Sequence, residues 1–325
     1  MRFLAKVPRP GRRRVVLRFA NAYPSTAGLP GLERFAEAVR VASSGEVRIR
    51  FINKWTADDD RHEETTVTRD IIGGKAELGW VGARVLGSVG ARAFDCLQAP
   101  LLFRTYRDQQ LLWQSGVPDA LLGRLEQIGL IGLALLPGEM RKPFGFSRRF
   151  VEPADFESCV IRTHESTVGE ATFRALGARP ILLSAAELPL ARQQCDGMDL
   201  HPAAVSGWDY RGYLTVNVNL WPRLTAIVAN RRAFDALESD TQQLLSSVAR
   251  QTTAHALTCL SGQEQRYQRA CNEAVVAVTA PADGCAALRQ QLEPIYQRLR
   301  DDPDTGAFLG KLERLLASEA PSVAL

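Results

Sequence analysis

Cys159-Val160-Ile161-Arg162 is a short apolar stretch that delivers a single arginine at its end. Thr167 to Gly177 follows with helical spacing and a glycine stop, and Pro180 to Leu183 reads as a second short strand. Asp196-Gly197-Met198-Asp199 then reads as a loop. Strand, helix and strand in this order are the unit of a sheet covered by helices. An arginine at a strand end, facing a cleft between domains, suits a carboxylate. Its planar fork offers two parallel hydrogen bonds, and its charge does not titrate. The pattern points to binding an organic acid rather than transforming one.

The same alternation extends outward on both sides. Val15 to Ala20 reads as a strand, and Leu32, Phe35, Ala36 and Val39 share one helical face. Val47 to Phe51 is a strand, His62 to Ile72 a helix stopped by Gly73-Gly74, and Leu78 to Val81 a strand again. Helices are expected over Tyr106 to Gln114 and Pro118 to Ile128, then an apolar strand over Ile131 to Leu136. From Met140 to Ala229 the pattern repeats on a smaller scale, with strands at Tyr213 to Asn219 and Leu224 to Ala229. Asn230 is placed to cap a helix through Leu237. Asp240 to about Val278 is almost free of Gly and Pro and predicts one or two long helices. Further helices are expected over about Ala286 to Arg300 and Thr305 to Ala317.

The 325 residues suffice for two domains with real cores, and 46% hydrophobic with 23% charged residues is an ordinary globular composition. The net charge of +4 is mild, and beyond Arg12-Arg13-Arg14 the arginines are scattered. A nucleic-acid protein concentrates them in a stripe with aromatics, so no nucleic-acid partner is expected. No apolar run approaches the roughly 20 residues of a membrane span. The basic segment Met1 to Arg14 is not followed by the apolar region of an export signal.

No G-x-S-x-G elbow, phosphate-binding P-loop or G-x-G-x-x-G is present. The four histidines, His62, His164, His201 and His255, lack metal-ligand spacing. Asp58-Asp59-Asp60 reads as a solvated loop, and Glu63-Glu64 as the first turn of a helix, where acids suit the dipole. No cofactor and no metal are implied. The six cysteines form no C-x-x-C pair. At most one disulfide is expected, with Cys159 and Cys195 as the pair. Cys259 and Cys271, about 18 Å apart on one helix, are too distant to bridge.

In this setting the residues resemble a family, the extracytoplasmic solute receptors of tripartite ATP-independent periplasmic (TRAP) transporters. The opening Leu17-Arg18-Phe19-Ala20, Tyr23-Pro24 and Gly31-Leu32-Glu33-Arg34-Phe35-Ala36-Glu37 resembles the family's first strand, loop and helix. Glu77-Leu78-Gly79-Trp80-Val81 and Ala99-Pro100-Leu101-Leu102-Phe103 resemble two further family segments. Gly138-Glu139-Met140-Arg141 resembles the segment that supplies a first cleft arginine. Val151-Glu152-Pro153-Ala154-Asp155-Phe156 leads to Ile161-Arg162, where the family places its main carboxylate-binding arginine. The similarity runs from about Leu17 to Leu316. It departs at Cys195-Asp196-Gly197-Met198-Asp199-Leu200-His201-Pro202, where a ligand-bonding asparagine of the family has no clear counterpart.

The resemblance implies a two-lobed α/β fold of the type II periplasmic-binding-protein kind, with a central cleft and long C-terminal helices. Lobe I is expected over 15–138 plus about 227–265, and lobe II over 139–226 plus about 266–325, after a basic segment 1–14. Arg162, helped by Arg141, is expected to hold a solute carboxylate. Asp199 or His201 is expected to read the rest of the solute, beside Tyr23, Trp80, Trp208, Tyr210 and Trp221 as aromatic walls. The implied partner is a TRAP-type membrane permease and the implied compartment periplasmic, with the receptor a monomer. An enzyme acting on organic acids in the same cleft is the alternative, and a ligand-sensing module a third reading.

Overall fold

The structure, a computed structural model, describes residues 14–26, 31–201, 210–260, 262, 271 and 274–318. Two sheets divide the described chain. The first holds β1 (Val15–Ala20), β2 (Val47–Ile52), β3 (Leu78–Gly82), β4 (Leu130–Leu136) and β11 (Thr225–Asn230), in the order β2-β1-β3-β11-β4. β2, β1 and β3 run parallel, and β11 is antiparallel to both of its neighbours. β3 and β11 are buried along their whole length, which is why they read as unbroken apolar runs rather than alternations. Leu32, Phe35 and Val39 of the helix Leu32–Ala42 pack with Phe19 and with Leu245 and Val248 of the helix Ser239–Thr258. The expected helical face thus becomes one side of the first core.

The second sheet is mixed. Its order is β12 (Val275–Val278), β9 (Gly212–Thr215), β5 (Met140–Gly145), β8 (Gly197–Leu200), β6 (Val160–Arg162) and β7 (Arg179–Ile181), with β10 (Trp221–Pro222) paired to the start of β5. The β6, helix Thr167–Ala175 and β7 unit read from the sequence is present, with β6 and β7 parallel.

Two expectations about secondary structure fail here, each for a physical reason, and one strand carries no local signal. Asp196 to Asp199 is not a loop: Gly197–Leu200 is a strand paired on both sides, and tertiary pairing overrides the weak strand propensity of Gly and Asp. β5 carries Arg141, Lys142 and Pro143, so it does not read as a strand. Its Pro143 lies between the stretches paired to β10 and β9, where that side of the ladder is interrupted. Of the segment expected to be helical to about Val278, Ser239–Thr258 is a helix, whereas the β-branched Val275–Val278 is strand β12. The expected Cys159–Cys195 bond is likewise not formed. All six cysteines are free, and these two thiols donate to the nearby carbonyls of Asp155 and Ala191.

The chain passes between the sheets from β4 to β5 through Pro137-Gly138-Glu139, and back from β10 to β11 through Arg223-Leu224. The two ribbons are bonded to each other: Arg223 N–H donates to the Glu139 carbonyl at 2.8 Å and Leu220 N–H to that of Arg141 at 2.9 Å. The buried Gln109 amide donates to the Gly138 carbonyl at 2.8 Å and accepts from its N–H at 3.3 Å. The C-terminal helices reach over the first sheet's side, where Tyr296 Oη donates to the Pro100 carbonyl at 2.8 Å and Arg104 to that of Leu316 at 3.0 Å.

Gly138 is set by this crossing, because a Cβ there would lie 2.1 Å from the Arg223 carbonyl oxygen. Gly138→Ala must push the two ribbons apart, at a cost of about 1–3 kcal/mol. Denaturant unfolding of the variant is expected to show that loss. Wild-type stability would mean that the ribbons part freely.

Candidate functional site

The parallel strands end where the two sheets face each other, so the residues just beyond them meet. β1 leads to Tyr23, β3 to Arg84, β6 to His164 and β8 to His201, while the antiparallel β5 begins beside Arg141. The helix Glu63–Ile72 turns its first residues to the same place. A narrow cleft, partly open to solvent, is lined there by Glu63, Glu64 and Arg84 from one side and Arg162, His164 and Glu165 from the other.

Glu64 organises the first wall. It is buried, accepts from Gly82 N–H at 2.7 Å, pairs with Arg84 at 2.8 Å and takes a very short hydrogen bond from Tyr23 Oη. Burial alone would raise its pKa, but the Arg84 charge and these donors outweigh it, and the carboxyl sits below its ordinary value. The Tyr23 hydroxyl is pushed up, first by burial and then by the Glu64 charge. The Tyr23 ring meets Trp80 edge to face at 5.5 Å, and the Arg223 guanidinium lies 5.6 Å from the Trp80 ring centre.

The second wall carries the arginines. Arg141 Nη1 bonds the Asp199 carboxylate at 3.1 Å and its carbonyl at 3.2 Å. Its Nη2 lies 3.3 Å from His164 Nε2, and Arg162 Nη1 lies 3.1 Å from His164 Nδ1. Arg162 Nη1 is also 3.2 Å from His164 Nε2, so a neutral imidazole offers the two guanidiniums one acceptor nitrogen between them. Burial, followed by the charges of Arg141 and Arg162, drives the His164 pKa well down and keeps the ring neutral. Burial also lowers Arg162, and brings Arg141 to about 10 despite the Asp199 charge; both stay cationic at neutral pH. Arg162 Nε, Arg84 Nε and Asp199 Oδ1 are buried without a hydrogen-bond partner.

The structure therefore brings Arg162, Arg141 and Asp199 together, while Tyr23 packs on Trp80, which is buried in the first core. His201 is turned to Glu139, its Nδ1 2.5 Å from the carboxylate, and burial lowers its pKa to about 4 although that bond opposes the shift. Trp221 packs edge to face on Phe173 at 5.9 Å, and Tyr210 on Phe146 at 5.5 Å. Trp208 lies outside the described residues. Three contacts span the mouth of the cleft: Arg61 pairs with Glu187, His62 Nδ1 lies 3.1 Å from Glu165, and Ala186 N–H donates to the Asp58 carbonyl at 3.1 Å.

Glu64, Arg84 and His164 are the residues that sequence reasoning passed over. Glu63 and Glu64 do form a first helical turn, as read, but one of them is buried and paired. The available signal was Arg84, a lone charge within the apolar run Leu78 to Leu86, since a buried arginine needs a carboxylate. Among the described residues no cluster of His, Cys, Asp and Glu is placed to hold a metal, and no helix is long and apolar enough to cross a membrane.

Comparison with known proteins agrees with this architecture. The chain is 22% identical over 306 residues to the C4-dicarboxylate-binding periplasmic protein DctP of Rhodobacter capsulatus, covering 88% of this chain and 87% of that protein. It is 23% identical over 292 residues to the 2,3-diketo-L-gulonate-binding periplasmic protein YiaO of Escherichia coli K12, covering 87% and 86%. Among solved structures, a TRAP periplasmic solute-binding protein of Ralstonia eutropha H16 with bound acetolactate superposes with a TM-score of 0.81 at 17% identity, over 93% of this chain and 99% of that one. A Bordetella pertussis extracytoplasmic solute receptor binding pyroglutamic acid gives 0.80 at 18%, over 93% and 99%. These structures share the fold. The family model for bacterial extracellular solute-binding proteins of family 7, DctP, matches residues 21–302, and the chain belongs to that family of extracytoplasmic receptors.

Proposed function

We propose that this protein captures a small carboxylate-bearing organic acid in the cleft and delivers it, unchanged and as a monomer, to a TRAP-type membrane permease. The observation that carries this is Arg162. It is buried at the end of β6, and among the described residues its Nε has no acceptor and its guanidinium lies against a neutral histidine. A desolvated guanidinium in that state is a strong binder of a planar carboxylate. The relatives named for C4-dicarboxylate and diketogulonate, and the neighbours with pyroglutamate and acetolactate, support an acid as the solute. Arg141 adds positive potential behind Arg162, and Tyr23, packed on Trp80, closes the opposite side. Binding favours the state with the lobes together through its differential affinity, and the paired ribbons at Gly138 and Arg223 serve as the hinge.

Arg162→Ala is expected to cost about 2–5 kcal/mol of affinity by leaving the carboxylate desolvated and unpaired. Arg162→Lys is expected to recover part of that, because it restores the charge without the fork. Calorimetry with an identified acid reads both, and unchanged affinity in a folded Arg162→Ala would remove this residue from the site.

A pH dependence follows from His201. Its folded pKa of about 4 lies below the ordinary value of 6.5, so on acidification the unfolded chain takes up the proton first. Its contribution to stability is thus whole above about pH 6.5 and declines as the pH falls toward 4. His201→Gln keeps a hydrogen bond to Glu139 without titrating. Thermal melts across this window are expected to fall less steeply for the variant, and superimposable slopes would place the His201 pKa near its ordinary value.

A further inference from the structure

Most charges around the cleft are already matched. Glu64 is paired with Arg84, Asp199 with Arg141, Glu187 with Arg61, and Glu165 through one oxygen with His62. What the lining leaves unmatched is of both signs. Arg162 and Arg84 each keep a buried Nε–H without an acceptor. Facing them, Glu165 Oε2 is buried without a donor, and Glu63, in the first turn of its helix, has no hydrogen-bond or ion-pair partner among the described residues. Burial and the neighbouring Glu64 charge raise the Glu63 carboxyl to about 7, so desolvation there is real.

We infer that the solute carries one carboxylate and, on a neighbouring carbon, a hydrogen-bond donor that Glu63 and Glu165 read, which makes it an α-amino or α-hydroxy acid rather than a dicarboxylate. This rests on the acid-receptor reading above and narrows it. The carboxylate satisfies the guanidinium donors, and the ammonium or hydroxyl supplies the hydrogens that the two acidic side chains lack. An acid without that donor leaves the buried Glu165 oxygen unpaired, the situation in which sites discriminate most strongly. A second carboxylate must share the cleft with Glu165 and Glu63, and the other cations among its lining residues, Arg84 and Arg61, are already paired with Glu64 and Glu187, so it is accommodated only by keeping Glu63 protonated.

The test uses matched sets that share a skeleton and differ in one substituent. The sets are alanine, lactate, propionate and methylmalonate; valine, its α-hydroxy analogue, isovalerate and isopropylmalonate; and phenylalanine, phenyllactate, phenylpropionate and benzylmalonate. Each is titrated by calorimetry into the full chain. The donor-bearing members are expected to bind at least about tenfold more tightly than the plain acid and the malonate of the same set. Glu63→Gln is expected to weaken an ammonium ligand more than a hydroxyl ligand, which separates the two sources of the donor. Preference for a plain acid or a malonate overturns the inference and leaves the acid-receptor reading intact. Failure of every acid to bind the folded protein overturns both.

Discussion

Everything at this site depends on how buried guanidiniums are neutralised. Arg84, Arg141 and Arg162 are all desolvated, and an unpaired charge in such a place costs several kcal/mol. Arg84 is matched by Glu64 through elements of the first sheet's side alone, and Arg141 by Asp199 through strands of the second alone. Each half is thus neutral at its wall without help from the other. Arg162 is the exception, with a neutral imidazole beside it and no carboxylate in contact among the described residues. The odd charge falls where the two halves meet.

The ribbons that join the two sheets share residues with the cleft. Arg223 bonds Glu139 through the backbone where the two ribbons cross, while its guanidinium lies over Trp80. Glu139, in turn, holds His201 at the end of β8. The ribbons are thus tied through these contacts to side chains beside the cleft. Gly138 permits this closeness, since any side chain there meets the opposing carbonyl. Gln109 supplies the polar partners that the tightly crossed backbone lacks, as buried amide groups require.

Elements with local signals were legible in the sequence. β1, the helix Tyr106–Gln114 and the Asn230 cap all appear where periodicity and capping chemistry placed them. β5 and β8 were not, because their strand character comes from neighbours distant in the chain, and Lys142, Pro143, Gly197 and Asp199 argue locally against it. The site divides in the same way. Arg162 announces itself at the end of an apolar strand, whereas Glu64 reads as an ordinary first-turn acid. Only the burial of its helix against β3 shows otherwise, and burial is a property of the fold.

His164 shows how a binding site is kept from satisfying itself. It stands between Arg141 and Arg162, in contact with both, at a position where a carboxylate would make two salt bridges. A carboxylate there would saturate Arg162 and leave nothing for a solute to complete. A protonated imidazole would add a third positive charge to two that already lack solvent. The neutral ring does neither: it fills the space between the guanidinium planes and spends at most one acceptor on them. Burial and the flanking cations hold it in that form. Arg162 is therefore left without a matching anion among the described residues, while Asp199 restrains Arg141.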